Sequence, residues 1–383
     1  MGSRLMFGPR KADRSVLQKL SELNWAMVLT LSVIAGIGIA MQYSVAFGSF
    51  DPFALRQLIR FTAMLLLLLV IALVDIRIWM TLAYPAYLAG LVLLVAVEFF
   101  GFSGKGGQRW LDLGVMTLQP SELMKIGVIM ALARYFHGLT AHQARQLKSL
   151  VLPALILAIP AILVIRQPDL GTAMMLLLGG IAVIFLAGAR PWLFVTGAIA
   201  GIAAIPVIWN LLRPYQKERV LTFLNPERDP LGAGYQILQS KIALGSGGLF
   251  GKGFMEGTQS HLNFVPEMKT DFIFTVLAEE FGVVGGVGLL CLYLVLLGYA
   301  ALIAVSSRNQ FGRLLALGLA FALFLYVFIN MAMVMGLVPV VGVPLPLVSY
   351  GGSAMLTMMI AYGLILSVAL NRRLSIPRKH PFG

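Results

Sequence analysis

The chain has 383 residues, 59% of them hydrophobic and only 12% charged, whereas a soluble domain carries about 25% charged residues, so a string of soluble domains is excluded. Its few charges are unequal: 29 Lys and Arg against 16 Asp and Glu give +13. So few charges between long apolar runs exclude a nucleic-acid partner, and the excess positive charge reads instead as the orientation signal of a polytopic membrane protein.

The first 24 residues are polar and basic and form a tail. The apolar run that follows is too long for a signal-peptide core and reads as a retained first span. A helix crosses the hydrocarbon with about 20 apolar residues. The stretches 25–46, 56–74, 77–100, 119–136, 150–166, 169–187, 191–212, 272–304, 313–338 and 350–370 meet or approach that length. The expected fold is all-α and polytopic, with about ten transmembrane helices and both termini on one side. The short fourth to sixth spans and the long eighth imply tilt or interfacial extension. Arg166-Gln167-Pro168-Asp169 turns the 150–187 stretch into a hairpin.

Basic residues decide the side. With the N-terminus inside, Arg77, Arg134, Arg145, Lys148, Arg190, Arg308, Arg313 and the basic tails are cytoplasmic. The opposite short connections hold Arg56, Arg60, Lys105, Arg109 and Arg166. The expected organisation is a cytoplasmic tail 1–24, a transmembrane domain 25–371 and a cytoplasmic tail 372–383. The domain includes one large outer loop, 213–271, packed on the membrane face through Tyr215, Phe223, Tyr235, Phe250, Phe254 and Phe264. Within it, Gly245 to Gly253 resembles a phosphate loop but fails its pattern, because Ser246 and Gly253 stand where Gly and Ser/Thr belong. One cysteine, Cys291, allows no internal disulfide, and the four His form no metal-ligand pair.

The candidate chemistry gathers toward the outer side. Asp271 precedes the eighth span and reads either as a helix cap or as an interfacial carboxylate able to act as a general base. Glu122 and Lys125 share one face of the fourth span, as an internal pair or as holders of an anionic head group. Arg109 is either a snorkelling interfacial residue or a phosphate clamp. Asp169, opening the sixth span, has the same cap-or-site ambiguity as Asp271. Glu279 and Glu280 are adjacent in the eighth span and point about 100° apart, so at least one must line protein or water. The uncharged segment from Val338 to Gly352 is expected to dip back among the helices.

Taken together, these stretches resemble the SEDS family (shape, elongation, division and sporulation), from Trp25 to about Arg373. The resemblance rests on Arg109-Trp110-Leu111-Asp112-Leu113-Gly114, Gln119-Pro120-Ser121-Glu122 and Gln167-Pro168-Asp169-Leu170-Gly171-Thr172. It continues in Gly234-Tyr235-Gln236, Thr270-Asp271-Phe272-Ile273-Phe274, Glu279-Glu280 and Val348-Ser349-Tyr350-Gly351-Gly352-Ser353. Gly257-Thr258-Gln259 is similar to the rod-shape, elongation branch. Lys269 departs from the family, which usually has His there. The resemblance implies an inverting peptidoglycan glycosyltransferase of the bacterial inner membrane, active on the extracytoplasmic face. It would join lipid II to a glycan carried on undecaprenyl pyrophosphate, with a class B penicillin-binding transpeptidase as partner. It also implies Asp271 as base, with Arg109 and Lys125 stabilising the leaving pyrophosphate; a divalent cation could share that task, although no clear cage is visible. A lipid flippase and a non-catalytic scaffold are the alternatives. The first lacks a convincing internal repeat, and the second leaves Asp271 and the Glu122–Lys125 pair unexplained.

Overall fold

The computed structural model describes residues 15–104, 107–112, 114, 117–212, 214–229, 232–261 and 267–377. The basic residues of 1–14 and 378–383, Lys105, Phe264 and the side chain of Tyr215 lie outside that description. Each of the ten expected spans is helical. They are α2 (Trp25–Val45), α3 (Phe53–Leu73), α4 (Ile76–Phe100), α5 (Pro120–His137), α7 (Val151–Arg166), α8 (Leu170–Leu186), the pair α9 (Pro191–Ala203) and α10 (Ile205–Leu211), α14 (Ile273–Ser306), α15 (Gln310–Val334) and α16 (Gly352–Leu370). Short helices fill the rest: α1 (Val16–Ser21), α6 (Ala141–Ala144), and α11 (Pro214–Leu224), α12 (Ala233–Ser246) and α13 (Thr258–His261) in the long loop. Caps mark several starts: Asn24, Asp75, Asp169 and Asn309 each accept a backbone N–H from the first turn of the helix that follows.

Among the described residues, seven helices are long and apolar enough to cross a membrane by composition alone. α5 is not one of them, since it carries Glu122, Lys125 and Arg134. Its surroundings explain how it tolerates them. It packs against α4, α7, α8, α15 and α16, and nearly all its residues are buried, so its charges meet protein rather than lipid.

The two ends of the bundle are tied separately. At the tail end Lys19 Nζ donates to Leu73 O at 3.1 Å and Ser367 Oγ to Val74 O at 2.7 Å, while Arg308 N donates to Arg372 O at 2.8 Å. Both tails therefore emerge at that end. At the other end the chain from 335 to 351 has no regular structure, yet Val343, Leu345, Leu347, Val348 and Ser349 are buried. Its carbonyls are met by side chains from the helices: Gln57 Nε2 reaches Leu347 O and Ser349 O, and Asn330 Nδ2 reaches Val343 O at 2.7 Å. Irregular backbone survives at this depth because protein groups satisfy it.

Two features differ from the sequence reading. A small antiparallel sheet, β1 (Phe102–Gly104), β2 (Gly107–Asp112) and β3 (Thr117–Leu118), occupies the connection before α5; β1 and β3 have only three and two residues, and Gly107-Gln108-Arg109-Trp110-Leu111-Asp112 in β2 does not alternate apolar with polar. The eighth span is also not one tilted helix. Gly282, at φ 64° and ψ −160°, breaks α14 in two, and only glycine adopts that backbone without strain. The glycine-rich run fills the break. Lys252 N and Gly253 N donate to Glu279 O and Glu280 O, while Val283 N and Val284 N donate to Gly248 O and Leu249 O, all at 3.0–3.1 Å. Of the aromatic residues expected to anchor the long loop, Phe254 stacks on Tyr43, whereas Phe250 is 80% exposed.

Candidate active site

Asp271 stands at the end of the bundle opposite the tails, in a tight turn over residues 267–272 where Thr270 N and Phe272 N both bond to Glu267 O. The cap position of α14 belongs to Phe272, which makes no side-chain cap bond. Instead the backbone around Asp271 is gripped. Gln42 Nε2 and Tyr350 N donate to Lys269 O at 2.9 and 2.8 Å, Ser349 Oγ donates to Thr270 O, and Asn330 Nδ2 donates to Asp271 O at 2.8 Å. Three consecutive carbonyls are thus held from α2, α15 and the buried 335–351 segment. Gln42 and Asn330 are fully buried, Ser349 nearly so, while Asp271 itself stays partly exposed. A rigid, desolvated support under an accessible carboxylate is what a positioned base requires. A methyl group at Gly342 would lie 3.4 Å from Asp271 Oδ2, so the 335–351 segment also forms one wall of the site.

The second group lies across that wall. A methyl group on Gly171, in the first turn of α8, would meet Val341 at 3.1 Å, so Val341 and Gly342 run between the start of α8 and Asp271. Asp169 caps α8 through Thr172 N at 3.2 Å and also accepts from Thr172 Oγ1 and Gln119 Nε2, both at 2.9 Å. Arg109, on β2, sits beside it: Nη1 is 3.8 Å from Asp169 Oδ1, and Nε and Nη2 donate to the carbonyls of Gln167 and Pro168. Arg109 therefore bridges the sheet to the α7–α8 turn.

Glu122 and Lys125 pair at 2.8 Å, and Tyr326 of α15 closes a triad by hydrogen bonding to both. The Lys125 ammonium also lies 4.2 Å from the centre of the Tyr326 ring. All three are at least 95% buried, so the ammonium charge is balanced within the triad. Of the two expected cations, Arg109 is the more accessible, with its side chain 17% exposed against 5% for Lys125.

Glu279 and Glu280 belong to neither group. Glu279 is fully buried and accepts from Lys252 Nζ at 2.7 Å, Gln259 N at 2.9 Å and Thr258 Oγ1 at 3.3 Å, fastening the long loop to α14. Glu280 accepts from Ser44 Oγ of α2. Among the described residues no three His, Cys, Asp or Glu side chains converge as metal ligands.

Sequence reasoning missed Gln42, Gln57, Ser349, Asn330 and Tyr326. Lone amides inside apolar spans were the available signal for three of them, but an isolated Gln or Asn does not reveal which distant carbonyl it meets.

The family model of the FtsW, RodA and SpoVE cell cycle proteins matches residues 18–374. The chain belongs to this SEDS family. Among its relatives, the peptidoglycan glycosyltransferase MrdB of Escherichia coli K12 is 47% identical over 312 residues, covering 81% of this chain and 84% of that one. The probable peptidoglycan glycosyltransferase FtsW of Coxiella burnetii is 36% identical over 370 residues, covering 92% and 99%. Similar folds occur in a solved peptidoglycan synthase complex described as coordinating polymerization and crosslinking (TM-score 0.79, 34% identity, 92% of this chain and 99% of that one). The rod shape determining protein RodA of Thermus thermophilus is also similar (TM-score 0.70, 31% identity, 92% and 98%). The likeness covers both groups of candidate residues and both ends of the bundle, so the SEDS fold is present as a whole.

Proposed function

We propose that this SEDS protein is an inverting peptidoglycan glycosyltransferase that polymerises lipid II for cell elongation, with Asp271 as its general base. The observation that carries this reading is the three-carbonyl grip beneath Asp271. In the reaction, the acceptor 4-hydroxyl oxygen attacks the anomeric carbon of the donor glycan. The hydroxyl proton passes to the Asp271 carboxylate, and the carbon–oxygen bond to undecaprenyl pyrophosphate breaks with its electron pair on the pyrophosphate. That leaving group is already a weak base, so the paired acid of a glycosidase is not required.

Charge on the departing pyrophosphate needs cationic stabilisation. Arg109 is the better placed donor, since it is partly exposed and exchanges only backbone carbonyls and a 3.8 Å ion pair for phosphate oxygens. Lys125 reaches phosphate only by leaving Glu122, so its contribution is conditional on the triad opening. A divalent cation carried by the pyrophosphate would share the neutralisation. The remaining candidates act on structure: Asp169 orients Arg109, and Glu279 and Glu280 fix the loop that shapes the rim.

The distribution of basic residues supports cytoplasmic tails and hence an extracytoplasmic site, where lipid-linked substrate is available and nucleotides are scarce. The relative solved within a synthase complex that coordinates polymerization and crosslinking supports a transpeptidase partner; that partner, we infer, is a class B penicillin-binding protein docking on the outer loop and helices. The test supplies the purified chain and its partner with labelled lipid II in detergent. Glycan polymer is expected. Movement of lipid II across sealed vesicles without polymer would replace this reading with a flippase.

A further inference from the structure

At the tail end of the bundle, remote from Asp271, lies a cavity of about 460 Å³ lined by His142, Arg145, Gln146, Arg190, Pro191 and Trp192. It opens where α5, after His137, leads into α6 and where α8 gives way to α9. Its lining carries two guanidinium groups, an imidazole and no carboxylate. Its surroundings in sequence are equally one-sided: from residue 123 to 217 the only acid is Asp169, which caps α8 at the opposite end.

Beside the cavity, α9 has no buried residue. Its Val195 and Ile199 are exposed, as are Val151 and Leu155 on the first turns of α7. Two bare apolar helix faces thus flank a basic recess at the level of an interfacial tryptophan, Trp192. We propose that this cavity binds the headgroup of an anionic glycerophospholipid from the leaflet at the tail end. Arg145 and Arg190 take its phosphate, and its acyl chains lie along α7 and α9. Guanidinium donors match phosphate oxygens geometrically, and basic recesses between helices on the cytoplasmic side suit lipid headgroups. Charge complementarity alone would also admit a free phosphate ester; the apolar faces favour the lipid.

The test exposes the full purified chain in neutral detergent to equal amounts of phosphatidylglycerol and phosphatidylcholine, and native mass spectrometry reads the lipid retained. Phosphatidylglycerol is expected to dominate. Arg145→Gln or Arg190→Gln alone, each at an exposed position, should weaken its retention about five-fold, and the double variant about thirty-fold. Arg77→Gln, at the same end but outside the cavity, should leave retention unchanged. Equal retention of the two lipids, retention unaffected by the double variant, or complete displacement by millimolar glycerol 3-phosphate would each overturn the proposal.

Discussion

A single carboxylate is only as useful as the backbone that aims it. Asp271 was legible in the sequence as a charged residue before an apolar run, but so would any helix cap have been. What separates the readings is three consecutive carbonyls bound by Gln42, Tyr350, Ser349 and Asn330, a pattern spread over hundreds of residues that no local spacing encodes. The Glu122–Lys125 pair shows the same limit. Its three-residue spacing was readable, whereas its closure by Tyr326 depended on how α15 packs against α5. Asn330→Ala removes the buried amide that donates to the carbonyls of Asp271 and Val343. It should cost about 1–3 kcal/mol, measured by denaturant titration in detergent, and should lower the polymerisation rate while Asp271 remains in place. Lys125→Met should reduce activity more than Lys241→Met, since Lys241 is exposed and packs over Gly336; equal rates would remove Lys125 from the site.

The elements were largely readable, and the exception is instructive. Hydropathy marks seven of the helices outright because a span needs about 20 apolar residues, whereas α8 and α9 are shorter and α5 carries charge. It did not locate the break at Gly282, because the glycine-rich run that repairs it lies some thirty residues earlier and looked like a failed phosphate loop. Its glycines serve close approach: a methyl group at Gly282 would meet Gly251 N at 2.4 Å and Leu249 O at 2.5 Å. Gly282→Ala should therefore destabilise by at least about 2 kcal/mol, combining the forbidden backbone with that overlap. Gly288→Ala, six residues on in the same helix with nothing within 4 Å, should be neutral or slightly stabilising. Thermal unfolding of the two variants side by side checks the contrast; similar losses would mean that the break is not what holds the loop.

For the whole molecule, the proposed topology follows from the charge imbalance. The +13 reads as an orientation signal, and under the proposed topology the tail end is cytoplasmic and the Asp271 end extracytoplasmic. In sealed spheroplasts a membrane-impermeant thiol reagent should label Ser49→Cys, between α2 and α3 at the Asp271 end, and spare Ser149→Cys at the tail end; the reverse pattern would invert the protein and remove its access to extracytoplasmic substrate. The two proposed sites lie at opposite ends of the bundle, the carboxylate site against the buried 335–351 segment and the lipid site in the basic recess lined by Arg145 and Arg190.

In the proposed mechanism one carboxylate, fixed from below and partly exposed, takes the acceptor proton. Positioned general bases contribute about 10²–10⁴-fold to rate. The direct measurement is the initial rate of glycan polymerisation from labelled lipid II by the chain with its transpeptidase partner, native against Asp271→Asn, which keeps the shape and removes the base. The expected result is a loss of at least about a hundredfold with partner binding and thermal stability unchanged; polymerisation at the native rate by the Asn variant would contradict it.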